Sequence, residues 1–288
     1  MASYDPQQHN GKEDKSIFGV IIHSFFVVPF LIAVFSVLLF ASVKILMMEK
    51  QTVYDLLNDV QAGGMTKRWQ SAFELSKVLG NPKLIPDDDK FDQELVKAFN
   101  QAQYDDNRVR QYLALAMAKT GKDVFFDPLI KALKLGEKEE NLYAIIYALG
   151  MLKAKKAIPV IANYLEHQEA RIRLVAVMAL GNMEDLQTVN MLKKTLTDSE
   201  PNVEWDSAVA LAKMGDLSGK PILLNLLDRN YLAKFPEVDV QEQTEIILVS
   251  LKSCAHLSDG DIKAEIKKLA QSDQNMNVRK VAMEILHP

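Results

Sequence analysis

Ala148-Leu149-Gly150, Ala179-Leu180-Gly181 and Ala210-Leu211-Ala212 stand 31 residues apart, and Ala116-Met117-Ala118 precedes them by 32. A second marker keeps the same period: Pro128, Pro159 and Pro221 fall on it, with Asn190 in the remaining slot. Behind each comes an apolar pair, Leu129-Ile130, Val160-Ile161, Met191-Leu192 and Ile222-Leu223. Two markers in phase define an internal repeat, and a period of this size restricts the chain to an array of stacked supersecondary units. One unit cannot bury its apolar face alone, so neighbours must stack into a continuous core.

Each unit reads as a helical hairpin. Apolar residues keep helical spacing throughout, and no stretch sustains the two-residue alternation of a half-buried strand. The first helix is expected to end near the glycine or alanine after the Ala-Leu pair. The proline then lies in the opening turn of the second helix, where its missing N–H does no harm. The spacing predicts pairs at 66–79 with 90–103, 107–119 with 127–135, 137–152 with 157–166, 169–182 with 186–197 and 201–214 with 220–229. After an insertion, Asn230 to Val240, come 241–257 with 261–272, and 277–286 closes the chain as a lone helix. Alanine and glycine at the junctions let helices approach closely. The expected fold is all-α: a right-handed α-solenoid of about six helical hairpins over residues 66–288, after a single N-terminal transmembrane helix.

That transmembrane helix is expected because the 28 residues from Ser16 to Val43 carry no charge and include six of the chain's 12 phenylalanines. A helix of about 20 apolar residues crosses a hydrocarbon core of roughly 30 Å, so the run spans once. It is too long for the apolar region of a cleavable signal peptide, typically ~7–15 residues. Pro29 and His23 interrupt it, and both read as structural, the one a helix kink and the other a polar group near one end. The organisation is then a polar tail at 1–15, a transmembrane helix at 16–48, a juxtamembrane linker helix at 49–65 and the solenoid at 66–288. Lys12 and Lys15 precede the span, while Lys44, Lys50, Lys67 and Arg68 follow it. The balance, with no cysteine pair in the chain, tilts the solenoid toward the cytoplasmic side.

Chemistry-bearing patterns are sparse. A net charge of −4 gives no general attraction to nucleic acid. The five histidines form no H-E-x-x-H arrangement. Cys254 and His256 are two apart, so on a helix they point away from each other; the thiol reads as a small buried hydrophobe. Pro86 to Asp92 reads as an interhelical loop that caps a helix. Trp69 and Trp205 read as packing at unit junctions. No catalytic residue, metal ligand, cofactor or small-molecule substrate is predicted.

The first helices carry a signature in "NRVRQYLALAMAKTG" (Asn107 to Gly121), "RIRLVAVMALG" (Arg171 to Gly181) and "NVRKVAMEIL" (Asn277 to Leu286). It resembles the HEAT-repeat family, specifically the short HEAT-like repeats of the phycobilisome-lyase type. Val109-Arg110, Ile172-Arg173 and Val278-Arg279 match the family's pattern, with Asp198 and Asp273 as acidic cap residues. Leu142, Glu204 and Thr244 replace the arginine in the third, fifth and sixth units. The resemblance implies a recognition scaffold whose second helices line the concave face. On those helices a polar row recurs, Lys131, Asn163, Lys193, Lys194 and Asn225, and it is the candidate surface for a protein partner. Two functions fit: a membrane-anchored scaffold or adaptor that binds a protein, or an accessory lyase-like or chaperone-like subunit of a membrane enzyme complex. Hydroxylases of similar fold bind iron through His-Glu pairs, and this chain has no His-Glu dipeptide.

Overall fold

The computed structural model describes residues 23–46 and 51–287. They belong to two separate units, one ending at Gln51 and the other starting at Thr52. The first holds helix α1 (Val28–Leu46), preceded by a π-helical turn at His23–Val27. Pro29 lacks an N–H and its ring crowds the carbonyl four residues back, and a widened turn relieves that crowding. Phe25–Val43 has a mean hydropathy of 2.7 and no part of it is buried. The expected tail at 1–15 and residues 16–22 and 47–50 of the expected span and linker lie outside the described residues.

Helix α2 (Val53–Ala62) opens the second unit. A capping box closes its N-terminus: the Asp55 N–H donates to Thr52 Oγ1 at 3.2 Å, and the Thr52 N–H donates to the Asp55 carboxylate at 2.9 Å. Its buried face, Val53, Leu56, Leu57 and Val60, packs on α3 (Met65–Val78) and α4 (Asp89–Gln101). α2 falls within the linker helix expected at 49–65. The 3,4-spaced apolar face is covered by the array itself, so the array begins at Thr52.

Hairpins follow in order. α5 (Asn107–Thr120) precedes α6 (Phe126–Lys134), and α7 (Glu139–Met151) precedes α8 (Ile158–Ile161). α9 (Ala170–Met183) precedes α10 (Val189–Lys194), and α11 (Pro201–Lys213) precedes α12 (Lys220–Leu226). The insertion supplies α13 (Arg229–Leu232); then come α14 (Val240–Cys254), α15 (Gly260–Ser272) and the terminal α16 (Met276–Leu286). α8 and α10 are shorter than the spacing predicts, because tight 3₁₀ turns at Lys155–Ala157, Ala162–Glu166, Leu186–Thr188 and Thr195–Thr197 take over their ends.

The glycines expected to stop the first helices have another task. Gly150 lies inside α7 and Gly181 inside α9. A Cβ on Gly150 would fall 2.6 Å from Ala179 Cα, and one on Gly181 would fall 2.6 Å from Ala210 Cβ. Bare backbone there lets successive first helices touch. The helices turn off a few residues later, at left-handed Gly121, Lys153, Glu184 and Gly215, which keep the repeat's period.

This contact distinguishes the two layers of helices. α3, α5, α7, α9 and α11 lie directly side by side, whereas the second helices pack far more loosely on one another. We call this closely packed first-helix layer the inner layer and the second-helix layer the outer one. The small residues that permit close approach, Gly150, Ala179, Gly181 and Ala210, all sit on the first helices. The apolar core itself falls into two clusters, one from Val53 to Leu211 and one from Trp205 to Ala282. α11 serves both, giving Val203, Ala210 and Leu211 to the first and Trp205, Ala208, Val209 and Ala212 to the second.

Candidate functional site

The signature arginines are turned to structural use. Arg110 pairs with Glu137 at 2.6 Å, both side chains almost wholly buried, and also donates to the Phe99 carbonyl. Arg173 forks onto Asp198 through two bonds of 2.8 Å, a geometry that suits its planar guanidinium. Where Thr244 replaces the arginine, Arg229 reaches in from α13. It donates to Asp273 at 2.7 and 2.9 Å and to Thr244 Oγ1 at 3.2 Å. These pairs tie the second unit to the third, the fourth to the fifth, and α13 to the turn before α16. Arg229 has no place in the repeat pattern, and its only mark in the sequence is that it stands just ahead of the insertion.

Of the five residues expected to hold a partner, Lys131, Asn163, Lys194 and Asn225 are exposed. Lys193 is drawn into an ion pair with Asp216 at 2.7 Å. All five ride on the second-helix segments and therefore on the outer layer. Lys194 borders a cleft of about 620 Å³ with Glu166, His167 and Met191, beside the Arg173–Asp198 pair.

The inner layer carries a different set of groups. The Arg108 guanidinium lies over the Trp69 ring at 4.4 Å, Phe73 meets Tyr112 edge-on at 5.1 Å, and Tyr143 stacks on Tyr147 at 6.2 Å. Leu174 and Met178 of α9 continue this lane, both partly exposed. Burial pushes the Tyr143 phenol up, and Tyr147 and the Asp206 carboxylate push it further. The lane therefore runs within electrostatic reach of α11.

Between α11 and α14 the inner layer opens into a cavity of about 310 Å³, lined by Leu174, Trp205, Asp206, Glu242, Glu245, Ile246 and Ser250 among others. The insertion is the cause. It lengthens the connection between these two helices, and its Phe235 and Tyr231 hold Trp205 edge-on at 4.9 and 6.3 Å. Trp205 is 5% exposed, as expected of a junction residue, yet among the described residues its Nε1 has no hydrogen-bond partner. Ser250 Oγ is buried without a partner as well. Nothing in the repeat pattern marks either atom. Cys254 matches its reading as packing: it is buried, and burial pushes its thiol up to about 11.

Burial also pushes the Asp206 carboxyl up to about 6, with Lys213 pulling it only part of the way back. A raised native value means that the folded state favours the protonated acid. Stability tied to this group is therefore present below its ordinary value near 3.8 and is lost as pH rises through about 6. Asp206→Asn is expected to stabilise the protein at pH 7.5 by on the order of 1 kcal/mol, allowing for the carboxyl's partial exposure. At pH 4 it should change little. Thermal melts at the two pH values check this, and a loss of stability at pH 7.5 would contradict it.

The HEAT-repeat family matches residues 158–233, and the PBS lyase HEAT-like repeat matches residues 142–167. No curated protein matches the chain by sequence. Among solved structures, a chain in the complex of CpcE and CpcF of phycocyanin lyase from Nostoc sp. PCC7120 is 16% identical, with a TM-score of 0.56 over 83% of this chain and 96% of that one. A designed armadillo repeat protein in complex with peptide (KR)4 is 15% identical, with a TM-score of 0.45 over 82% of this chain and 98% of that one. At such identities the likeness is one of fold.

Proposed function

We propose that this α-solenoid, which carries HEAT repeats over residues 142–233, is a membrane-anchored scaffold that binds a protein partner along its inner face. The observation that carries the reading is the lane of Phe73, Tyr112, Tyr143, Tyr147, Leu174 and Met178, aromatic and apolar groups left partly exposed along successive first helices. Aromatic side chains offer large contact areas at small entropic cost, which is why they anchor interfaces. Anchoring is supported by the exposed apolar helix Phe25–Val43. A helix of that length and composition is held by lipid. The basic residues after the span, Lys44, Lys50, Lys67 and Arg68, favour a cytoplasmic solenoid. An anchored solenoid meets membrane-bound partners at raised local concentration. No cofactor, nucleic acid or small-molecule substrate enters this reading.

The test uses the full chain in native membranes, with a photo-crosslinking residue at Tyr143 on the inner face or at Lys194 on the outer row. A discrete adduct is expected from Tyr143 and none from Lys194, and the protein should stay in the membrane through carbonate extraction. An adduct from Lys194 alone would transfer binding to the row of Lys131, Asn163, Lys193, Lys194 and Asn225. Release by carbonate would remove the anchor. The fold shared with the lyase-complex chain supports a second reading, an accessory subunit of a membrane enzyme complex. On that reading the Tyr143 adduct would be an enzyme's own subunit.

A further inference from the structure

One edge of the array is made of the tight turns that join each first helix to its second. Leu84, Val124, Leu186 and Leu217 sit in those turns and are 49%, 52%, 77% and 40% exposed. Leu217 follows Leu186 by one 31-residue period, Val124 precedes Leu186 by two, and Lys155 fills the slot between. The turns are neighbours in space. Lys122 donates to the Pro86 carbonyl at 2.7 Å, and α6 packs on the turn at Lys155–Ala157. Lys155 pairs with Asp185 at 3.2 Å, and Thr188 Oγ1 donates to Met214 Sδ at 3.6 Å. The aliphatic tips therefore form a row. Carboxylates beside it are matched by lysines: Asp92 by Lys122, Glu184 by Lys153, Asp185 by Lys155 and Asp216 by Lys193. Asp87, Asp88, Asp89 and Asp123 offset Lys83, Lys90, Lys119 and Lys156, so the row stands on nearly balanced charge.

The chain enters the array on this same edge. Tyr54, near the start of α2, donates to Asp88 at 3.2 Å and meets the Phe91 ring edge-on at 5.4 Å. Asp88 is the N-cap of α4, the second helix of its unit, and so lies on the turn edge. From Leu46, the end of α1, to Thr52 is six residues. At no more than about 3.5 Å for each, Thr52 stands within about 20 Å of the end of α1.

We propose that the turn edge rests on the bilayer surface, with Leu84, Val124, Leu186 and Leu217 dipping into the boundary between headgroups and acyl chains. The proposal rests on the anchor of the reading above and adds a second, peripheral contact with lipid. One exposed leucine is ordinary on a protein surface. A row of them on a short tether is different, because contacts too weak to hold a free domain suffice once the chain is already at the surface. Such binding scales with the apolar area buried. Balanced charge suits a zwitterionic phosphocholine surface, since attraction to anionic lipid needs a basic excess. Lys83 and Lys156 can lay their apolar stems beside the tips and keep their ammonium groups among the phosphates. First helices end and second helices start at this edge, so both stand upright on the bilayer. The lane of Phe73, Tyr112 and Tyr143 then looks sideways along the membrane, toward partners embedded in it.

The experiment uses the full chain in phosphatidylcholine nanodiscs, with Cys254→Ala removing the only cysteine. A fluorophore is attached at Leu186→Cys on the turn edge or at Leu135→Cys, 72% exposed at the opposite ends of the second helices. The quencher is phosphatidylcholine carrying a nitroxide on its headgroup. Quenching is expected to be roughly threefold stronger or more at 186 than at 135, and to survive added salt, because apolar burial and not charge makes the contact. Adding Leu84→Glu and Val124→Glu, both at exposed positions, should weaken quenching at 186 and leave the helical circular dichroism unaltered. Equal quenching at the two positions, loss of it in salt, or no response to the glutamates would overturn the proposal. Carbonate extraction separates the two readings. A chain that carbonate releases fails first as an anchored protein, whereas a chain that is retained but unquenched at 186 keeps its anchor and loses only the edge contact.

Discussion

Glu137→Ala is expected to lower the stability of the solenoid by about 3–5 kcal/mol, the range found when one member of a buried ion pair is removed. The substitution strands the Arg110 guanidinium, which is buried over the Phe99 ring at 4.1 Å. It also takes the carboxylate from Asn141, whose Nδ2 donates to it at 3.0 Å and which is itself 1% exposed. Denaturant titration of the full chain measures the loss. The companion variant Arg110→Met, Glu137→Leu should recover most of it, because the cost arises from an uncompensated charge and not from the absence of a bridge. Lys153→Ala breaks a pair whose two side chains are exposed and should change stability by less than about 0.5 kcal/mol. Equal losses at Glu137 and Lys153 would mean that the Arg110 pair is not buried.

Gly150→Val is the second large effect. The new Cβ would meet Ala179 Cα, which is backbone and has no flexible end to swing aside. α7 and α9 must part, and overpacking of this kind costs about 1–3 kcal/mol at least. Ala179→Leu presses on the same junction from the other side and should cost a similar amount. Lys194→Leu, on an exposed position of the outer layer, should cost almost nothing. Thermal melts of the three variants side by side decide the matter, and equal tolerance at all three positions would refute the contact between first helices.

The repeat was legible in the sequence because its two markers are local and periodic, and the hairpins followed from them to within a few residues. What was not legible depends on contacts between units. Gly150 and Gly181 follow an Ala-Leu pair, and a local rule reads such a glycine as a helix stop; only the neighbouring helix shows that it is a point of close approach. The segment around Leu56 and Leu57 has the spacing of a covered face, but the sequence does not say what covers it. Which layer packs more closely is likewise a matter of contacts between units, which no local pattern carries. Trp205 could be read as a packed residue. That its N–H would be left without a partner depends on where Phe235 and Tyr231 fold back.

Because α11 gives side chains to both apolar clusters, it is the plate on which the two stretches of core meet. A solenoid with a single core flexes like a uniform spring and spreads any strain over every junction. Here that regularity is interrupted between α11 and α14, where the insertion has replaced the repeat spacing. The Arg229–Asp273 pair runs from α13 to the turn before α16, so it braces the second cluster internally and does not span that junction. A change of angle there would swing α14, α15 and α16 together, so that a small change at the junction becomes a larger displacement of the last helix.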